Sequence, residues 1–227
     1  MANVLISFDF WNTIARPNPA YKETRTAILM DLFGISKEQA EIAHLEVKKV
    51  LDKLNRFGVS LTTEQCWDMV IENIKDPVDH GFRRADYMIV TNLMQMAAKQ
   101  HPPHIQPSFV EWFNNLQTDN IHTAILSNTN MISGVTLSMI MLNAGIRLPI
   151  STVFSDERLC SKPSIAMFQH LPLTRFSKPD DVRIHVGDDP INDGFGAIRC
   201  KMDFVQVDSP DAVIGNVEAM LEVKGIR

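Results

Sequence analysis

The chain is poor in several features, and each shortage excludes something. It has 3 cysteines in 227 residues, Cys66, Cys160 and Cys200, odd in number and widely spaced. That pattern does not read as a disulfide framework, and it fits reduced thiols in a cytosolic protein. Excess positive charge is also missing. Lys and Arg total 22 against 27 Asp and Glu, a net charge of −5, so electrostatics give no case for nucleic acid as a partner. No apolar run approaches the roughly 18 residues of a membrane-spanning helix, so no membrane association is expected. The opening MANVLISFDFW has no basic segment and meets an acid too early for a signal peptide, and the expected location is cytoplasmic. Internal repeats and low-complexity tracts are absent too.

What is present is an ordinary globular composition. Hydrophobic residues make up 45% of the chain, enough for a full core, and the length suits one large domain or two unequal ones. The 12 methionines are scattered and read as soft core filler. Short apolar, β-branched runs at Val4–Phe8, His122–Leu126, Val182–Val186 and Phe204–Val207 have the look of buried parallel strands, with Thr152–Phe154 a fainter one. Helix-length patterns lie between them, such as Ser108–Gln117. Strands alternating with helices predict an α/β fold with a doubly wound parallel sheet.

From about Arg16 to Lys99 that alternation stops. Helical patterns take over at Ala20–Phe33, Lys37–Phe57, Thr63–Asn73 and Arg84–Lys99, with Ser36 and Thr62 placed as N-caps. Asp76-Pro77 and His80-Gly81 interrupt the pattern. The expectation is an all-helical insertion at 16–99 in a core formed by 1–15 and 100–227.

Polar residues gather after the strand runs, where open α/β sheets bind ligands. Asp9 follows Val4–Phe8, Ser127-Asn128-Thr129-Asn130 follows His122–Leu126, and GDDPIND, with Asp188, Asp189 and Asp193, follows Val182–Val186. Lys162 lies between the last two of these groups in SDERLCSKPSIAMF. If these ends share one crevice, three carboxylates meet there and require protons or cations. Oxygen ligands suit a hard divalent cation, and Mg²⁺ is the usual one when phosphate is bound as well. A cation clamp, a placed lysine and an oxygen nucleophile together make a phosphoryl-transfer site.

In that order the segments FDFWNT, AILSN, KPS and HVGDDPINDGFGA resemble the four motifs of the haloacid dehalogenase (HAD) superfamily. The resemblance covers nearly all of the chain outside 16–99, and the insertion is similar to the family's helical cap. It implies a Rossmann-like core and a hydrolase that takes a small phosphorylated substrate. It assigns Asp9 as nucleophile and Lys162 as its catalytic partner, with Ser127 and Asn128 holding the transferred group. It places Mg²⁺ on Asp9, Asp188, the Trp11 carbonyl and Asp193, the last either directly, through water or by a bond to Lys162. Lys178-Pro179 competes for the lysine role but directly precedes a strand, and is read as a solvated loop. His101 to His104, HPPH, is read as a rigid connector and Cys160 as unreactive.

One departure matters. Two residues after the nucleophile the family's phosphatases usually carry a second Asp, which protonates the leaving group and then activates water. Here that residue is Trp11, which does neither. Such acid–base help is worth ~10²–10⁴-fold. Trp11 is read as packing between core and cap and as a wall of the substrate site. Asn12 stands where glycine is usual, in a residue type that tolerates left-handed backbone. The family's 2-haloacid dehalogenases also carry an aromatic in place of the second Asp, use no metal and lack the leading acid of the fourth motif, whereas Asp188 is present here. Its phosphonate-cleaving members use a cap lysine, for which Lys22, Lys37, Lys48, Lys49 and Lys53 are candidates. A dehalogenase and a HAD-fold binding protein without turnover remain the alternative readings.

Overall fold

The computed structural model describes residues 3–74 and 84–227, so the predicted breaks at Asp76-Pro77 and His80-Gly81 lie outside the described residues. Its strands are β1 (Val4–Phe8), β2 (Ala15–Arg16), β3 (His104–Ile105), β4 (Ile121–Ser127), β5 (Ser151–Phe154), β6 (Val182–Gly187) and β7 (Asp203–Gln206). Five of them form one parallel sheet in the order β5-β4-β1-β6-β7. The chain moves outward from β1 through β4 to β5, then crosses back to β6 and β7 on the other side. This reversal beside β1 is where α/β sheets open a binding crevice at the carboxyl ends of their strands.

The sequence of β1, VLISF, is buried at every position because helices cover both sheet faces. Val4, Ile6 and Phe8 point into one core with Phe109, Phe113, Leu137, Ile140, Val213 and Val217. Leu5 points into the other, with Met167, Phe168, Phe176 and Ala197. The first core is built on α5 (Pro107–Leu116), α6 (Gly134–Asn143) and α10 (Val213–Val223); the second rests on α8 (Ile165–Gln169) and α9 (Gly196–Arg199). Strand alternation therefore sends Ser7 into the second core, a polar residue inside the central strand.

The segment between β2 and β3 is helical, in α1 (Pro19–Phe33), α2 (Lys37–Arg56), α3 (Thr63–Glu72) and α4 (Arg84–Gln100). Ser36 and Thr62 each cap a helix in a reciprocal box with Gln39 and Gln65, as the spacing predicts. Asn18, not anticipated as a cap, accepts from Ala20 N–H at the start of α1. The four helices enclose their own core around Leu29, Val47, Leu51, Trp67, Val70 and Met94. The sequence predicted no strand in this neighbourhood, yet Ala15 and Arg16 pair antiparallel with Ile105 and His104, tying the two crossings together. Two paired residues are too few to leave a periodic signal. His101-Pro102-Pro103 leads from α4 into β3, in keeping with a connector.

The helical unit is bonded to the core at several points, among them Ser60 to Ser155 and Thr63 to Asp156. Trp67 Nε1 and Gln95 Nε2 both donate to the Met131 carbonyl, at 2.9 and 3.0 Å. At the end of α2, Ser161 N–H donates to Gly58 O at 3.1 Å, and Ser161 Oγ donates to the carbonyls of Asn55 and Val59. Gly58 holds φ +79°, and a Cβ there would lie 2.8 Å from Ser164 Cβ. Gly58→Ala therefore combines backbone strain with a clash beside the Lys162 loop. It is expected to cost about 1–3 kcal/mol of unfolding free energy in denaturant titration.

Candidate functional site

The register of the sheet brings the strand ends together. Phe8 lies beside Ile125 on one side and Val186 on the other, so Asp9, the Ser127-Asn128 turn and Gly187-Asp188 emerge at one rim. Asp9 N–H donates to Val186 O at 2.8 Å, extending β1 by one bond and fixing the carboxylate at the rim. Oxygen atoms of Asp9, Asp188 and Asp193 lie within 4.8 Å of one another.

Lys162 reaches into this group from the loop before α8, 1% exposed. Its Nζ lies 2.5 Å from Asp9 Oδ1 and also bonds Asp193 Oδ1. Burial alone would lower the Lys162 ammonium, but Asp193 and Asp9 outweigh it and hold it above its ordinary value. Burial pushes the Asp9 carboxyl up to about 7 against the pull of Lys162. Asp193 goes the other way. Burial opposes ionisation there too, yet Lys162 and His185 hold it at about 2. Asp188 is half-buried; burial and the nearby Asp193 raise it, and Asn12 Nδ2 donates to it at 3.3 Å.

Asp193 is placed by a π-helical turn, Pro190–Phe195, opened by the Asp189 cap. Such turns recur at functional sites. Asp189 spends its oxygens on the turn, accepting from the N–H of Ile191 and Asn192 and from Asn192 Nδ2. Both Asp193 oxygens are engaged, Oδ1 by Lys162 and His185 and Oδ2 by Asp189 N–H at 3.1 Å. Of the routes left open by sequence, the bond to Lys162 is present, and an Asp193 oxygen also lies within reach of a cation shared with Asp9 and Asp188.

Asn128, which lines the cavity at this rim, and Ser127 also bond within the protein. The Asn128 side chain accepts from Lys162 N–H at 2.8 Å and donates to Lys162 O at 3.1 Å, so it clamps the lysine loop. Ser127 is fully buried, and its hydroxyl donates to Asn128 O at 3.3 Å.

His185 was not picked out from the sequence, although a histidine within the apolar VRIHV run was a signal. It is fully buried, and its Nε2 lies 3.0 Å from Asp193 while Nδ1 lies 2.8 Å from Ser7 Oγ. Burial lowers the imidazole, so the neutral ring with Nε2–H donating to Asp193 and Nδ1 accepting from Ser7 satisfies both contacts.

Asp9, Asn128, Lys162, Asp188, Asp189 and Asp193 line a cavity of about 530 Å³, shared with the helical unit. Trp11 lines it while its ring meets Phe10 edge-on at 5.0 Å, so the indole both packs and forms a wall. Asn12 holds φ 56°, the left-handed conformation its side chain tolerates. Of the five candidate lysines, Lys22 and Lys48 line the cavity. Tyr21, Arg25, His44 and His101 line it as well, none of them expected from sequence. Lys178 is exposed, and Cys160, whose thiol burial raises, faces Met167 Sδ at 4.0 Å.

Two tests follow. A Cβ on Gly187 would lie 2.3 Å from the Asp193 carboxylate. Gly187→Ala should therefore displace Asp193 and cost about 1–3 kcal/mol of unfolding free energy in denaturant titration. Burial, with Arg25, Lys48 and Lys22 adding to it, drives His44 down to about 3. Between that value and its unfolded value near 6.5, the unfolded chain binds the extra proton, so stability falls as pH falls. Up to about 2 kcal/mol of the loss between pH 6.5 and 5 is expected from this residue, and His44→Gln should flatten that part of the pH profile in denaturant titrations.

No protein-family model matches the sequence, and no curated protein sequence does. Solved structures do match. The 2-haloacid dehalogenase of Pseudomonas syringae pv. Tomato DC3000 aligns with a TM-score of 0.64 at 13% identity, over 97% of this chain and 100% of that one. YfnB of Bacillus subtilis, described as a HAD-hydrolase and solved with magnesium bound, aligns with a TM-score of 0.62 at 13% identity, over 92% and 88%. A HAD phosphatase of Thermococcus onnurineus aligns at 0.58 and 17% identity, over 92% and 86%. At these identities the likeness is one of fold: the chain has the HAD superfamily fold. Among the described residues, no helix is long and apolar enough to cross a membrane.

Proposed function

We propose that this protein is a Mg²⁺-dependent phosphatase of small phosphorylated compounds that works through an aspartyl-phosphate on Asp9. The observation that carries the reading is the buried Lys162 ammonium shared between Asp9 and Asp193, with Asp188 beside them at the strand ends. The donor set suits the ion. Asp9 and Asp188 offer hard carboxylate oxygens beside a cavity, and the surplus of negative charge there calls for a cation. Asp9, Asp188 and the Trp11 carbonyl would hold it, with Asp193 assisting through Lys162. When bound, Mg²⁺ neutralises phosphate charge and stabilises the ionised form of Asp9.

The chain's own groups carry the rest. An Asp9 oxygen attacks phosphorus, the P–O bond to the substrate breaks, and the leaving oxygen takes the electron pair. Lys162 orients Asp9 and balances charge on the transferred group, while Asp193 and His185 hold Lys162 in place. Water then cleaves the acyl-phosphate and returns Asp9. The helices of 16–99 act as the cap over this site. Trp11 supplies no proton to the leaving oxygen, so substrates whose leaving group needs none are favoured.

A second reading, a 2-haloacid dehalogenase, draws support from the aromatic at Trp11. Against it stands Asp188: a cation held there would blunt the attack of Asp9 on carbon.

The test is a panel of aryl phosphates, alkyl phosphates and 2-haloacids with and without Mg²⁺. Mg²⁺-dependent phosphate release, abolished in Asp9→Asn, is the expected result. Metal-independent halide release would establish the dehalogenase instead. In Trp11→Asp the ratio of alkyl to aryl phosphate turnover should rise, by as much as ~10²-fold where the new carboxylate reaches the leaving oxygen. A wild type equally fast on both classes would mean that another residue supplies the proton.

A further inference from the structure

The cavity has two unlike walls. The strand ends contribute Asp9, Asp188, Asp189 and Asp193, and the helices contribute Lys22, Arg25, His44 and Lys48. Two of these cations have partners of their own: Lys22 Nζ lies 3.5 Å from Glu41, and Lys48 Nζ lies 2.5 Å from Asp52. Arg25 does not. Among the described residues it makes no ion pair, its Nη1 lies 2.8 Å from His44 Nε2, and its Nε is buried without a hydrogen-bond partner. Its guanidinium lies 5.9 Å from the centre of the Tyr21 ring, whose hydroxyl is also buried and unpartnered.

This is an expensive arrangement. A desolvated cation is stabilised by a nearby anion, and here the group in contact with it is an imidazole held neutral. Glu41 acts on Arg25 only at longer range and is shared with Lys22. A planar guanidinium is suited to a carboxylate, which it binds in bidentate fashion. On the phosphatase reading, Lys162 and a cation on the acids serve the phosphoryl group at the strand ends, which leaves Arg25 on the helical wall for a second anion. A cavity of about 530 Å³ has room for a small compound that reaches both walls.

We propose that the substrate carries a carboxylate in addition to its phosphate, and that Arg25, backed by Tyr21 and His44, binds that carboxylate. The substrate class is then the phosphorylated carboxylic acids. This rests on the phosphatase reading for the position of the phosphate.

The test uses pairs that differ in the carboxylate alone: phosphoserine against phosphoethanolamine, and phosphoglycolate against ethyl phosphate. Wild type should prefer the acid of each pair by about ten- to a hundred-fold in kcat/KM. In Arg25→Gln the preference should fall to within about three-fold, and Arg25→Lys should restore part of it. Unchanged Tm separates this from a folding defect. A wild type without preference, or an Arg25→Gln variant that keeps it, overturns the proposal. Failure of the phosphatase reading shows separately, as absence of phosphate release from every ester including p-nitrophenyl phosphate. In that case, or where p-nitrophenyl phosphate alone is turned over, calorimetric titration with phosphonoacetate and ethylphosphonate decides: wild type must bind the first at least ten-fold more tightly and Arg25→Gln must not, or the inference is wrong.

Discussion

The structure at the strand ends depends on one buried ammonium. Lys162 is 1% exposed and bonds two carboxylates, each of which would be costly to bury alone. Its position explains much of what surrounds it. Asn128 grips its backbone on both sides, Ser161 ties its loop to the end of α2, and Gly58 lets that helix end come close. On the far side Gly187 leaves room for Asp193, and the pair Ser7 and His185 holds Asp193 from below. A polar line thus runs from the inside of the central strand to Asp9 at the cavity.

That line divides the labour among the acids. Asp193 is held ionised and is bonded at both oxygens, with Lys162 as its cationic partner. Asp188 is half-buried and lightly held by Asn12, so it is the acid with oxygen to spare for a cation. Asp9, pushed up by burial, gains most from one. The helical unit completes the cavity with opposite charge, and its bonds to Met131 and to the Ser161 loop place that charge against the strand ends. The indole of Trp11 sits within the same wall, where it shapes the site and gives no proton.

The sheet was legible because its strands are short, apolar and bounded by turn residues. All five runs appear within a residue or two of the expected limits, and the N-caps at Ser36 and Thr62 followed from side-chain chemistry at fixed spacing. The residues of the site were legible where a polar group ends an apolar run, as at Asp9 and Asp188. What escaped was set by tertiary contacts. The two-residue ribbon of β2 and β3 has no period to read, and nothing in PIND announces a π-helical turn. His185 looks like one polar residue in a strand until Ser7 and Asp193 are found on either side of it. Arg25 and His44 lie on different helices, 19 residues apart, and only packing brings them to one cavity.

The central claim is that Asp9 forms a covalent acyl-phosphate. The most direct measurement is to quench turnover of an aryl phosphate in Mg²⁺, reduce the protein with borohydride and locate the modified residue by peptide mass spectrometry. The account predicts conversion of Asp9 to homoserine, dependent on both substrate and Mg²⁺ and absent from Asp9→Asn. Phosphate release with Asp9 unmodified, or with the reduced residue elsewhere in the chain, would contradict it.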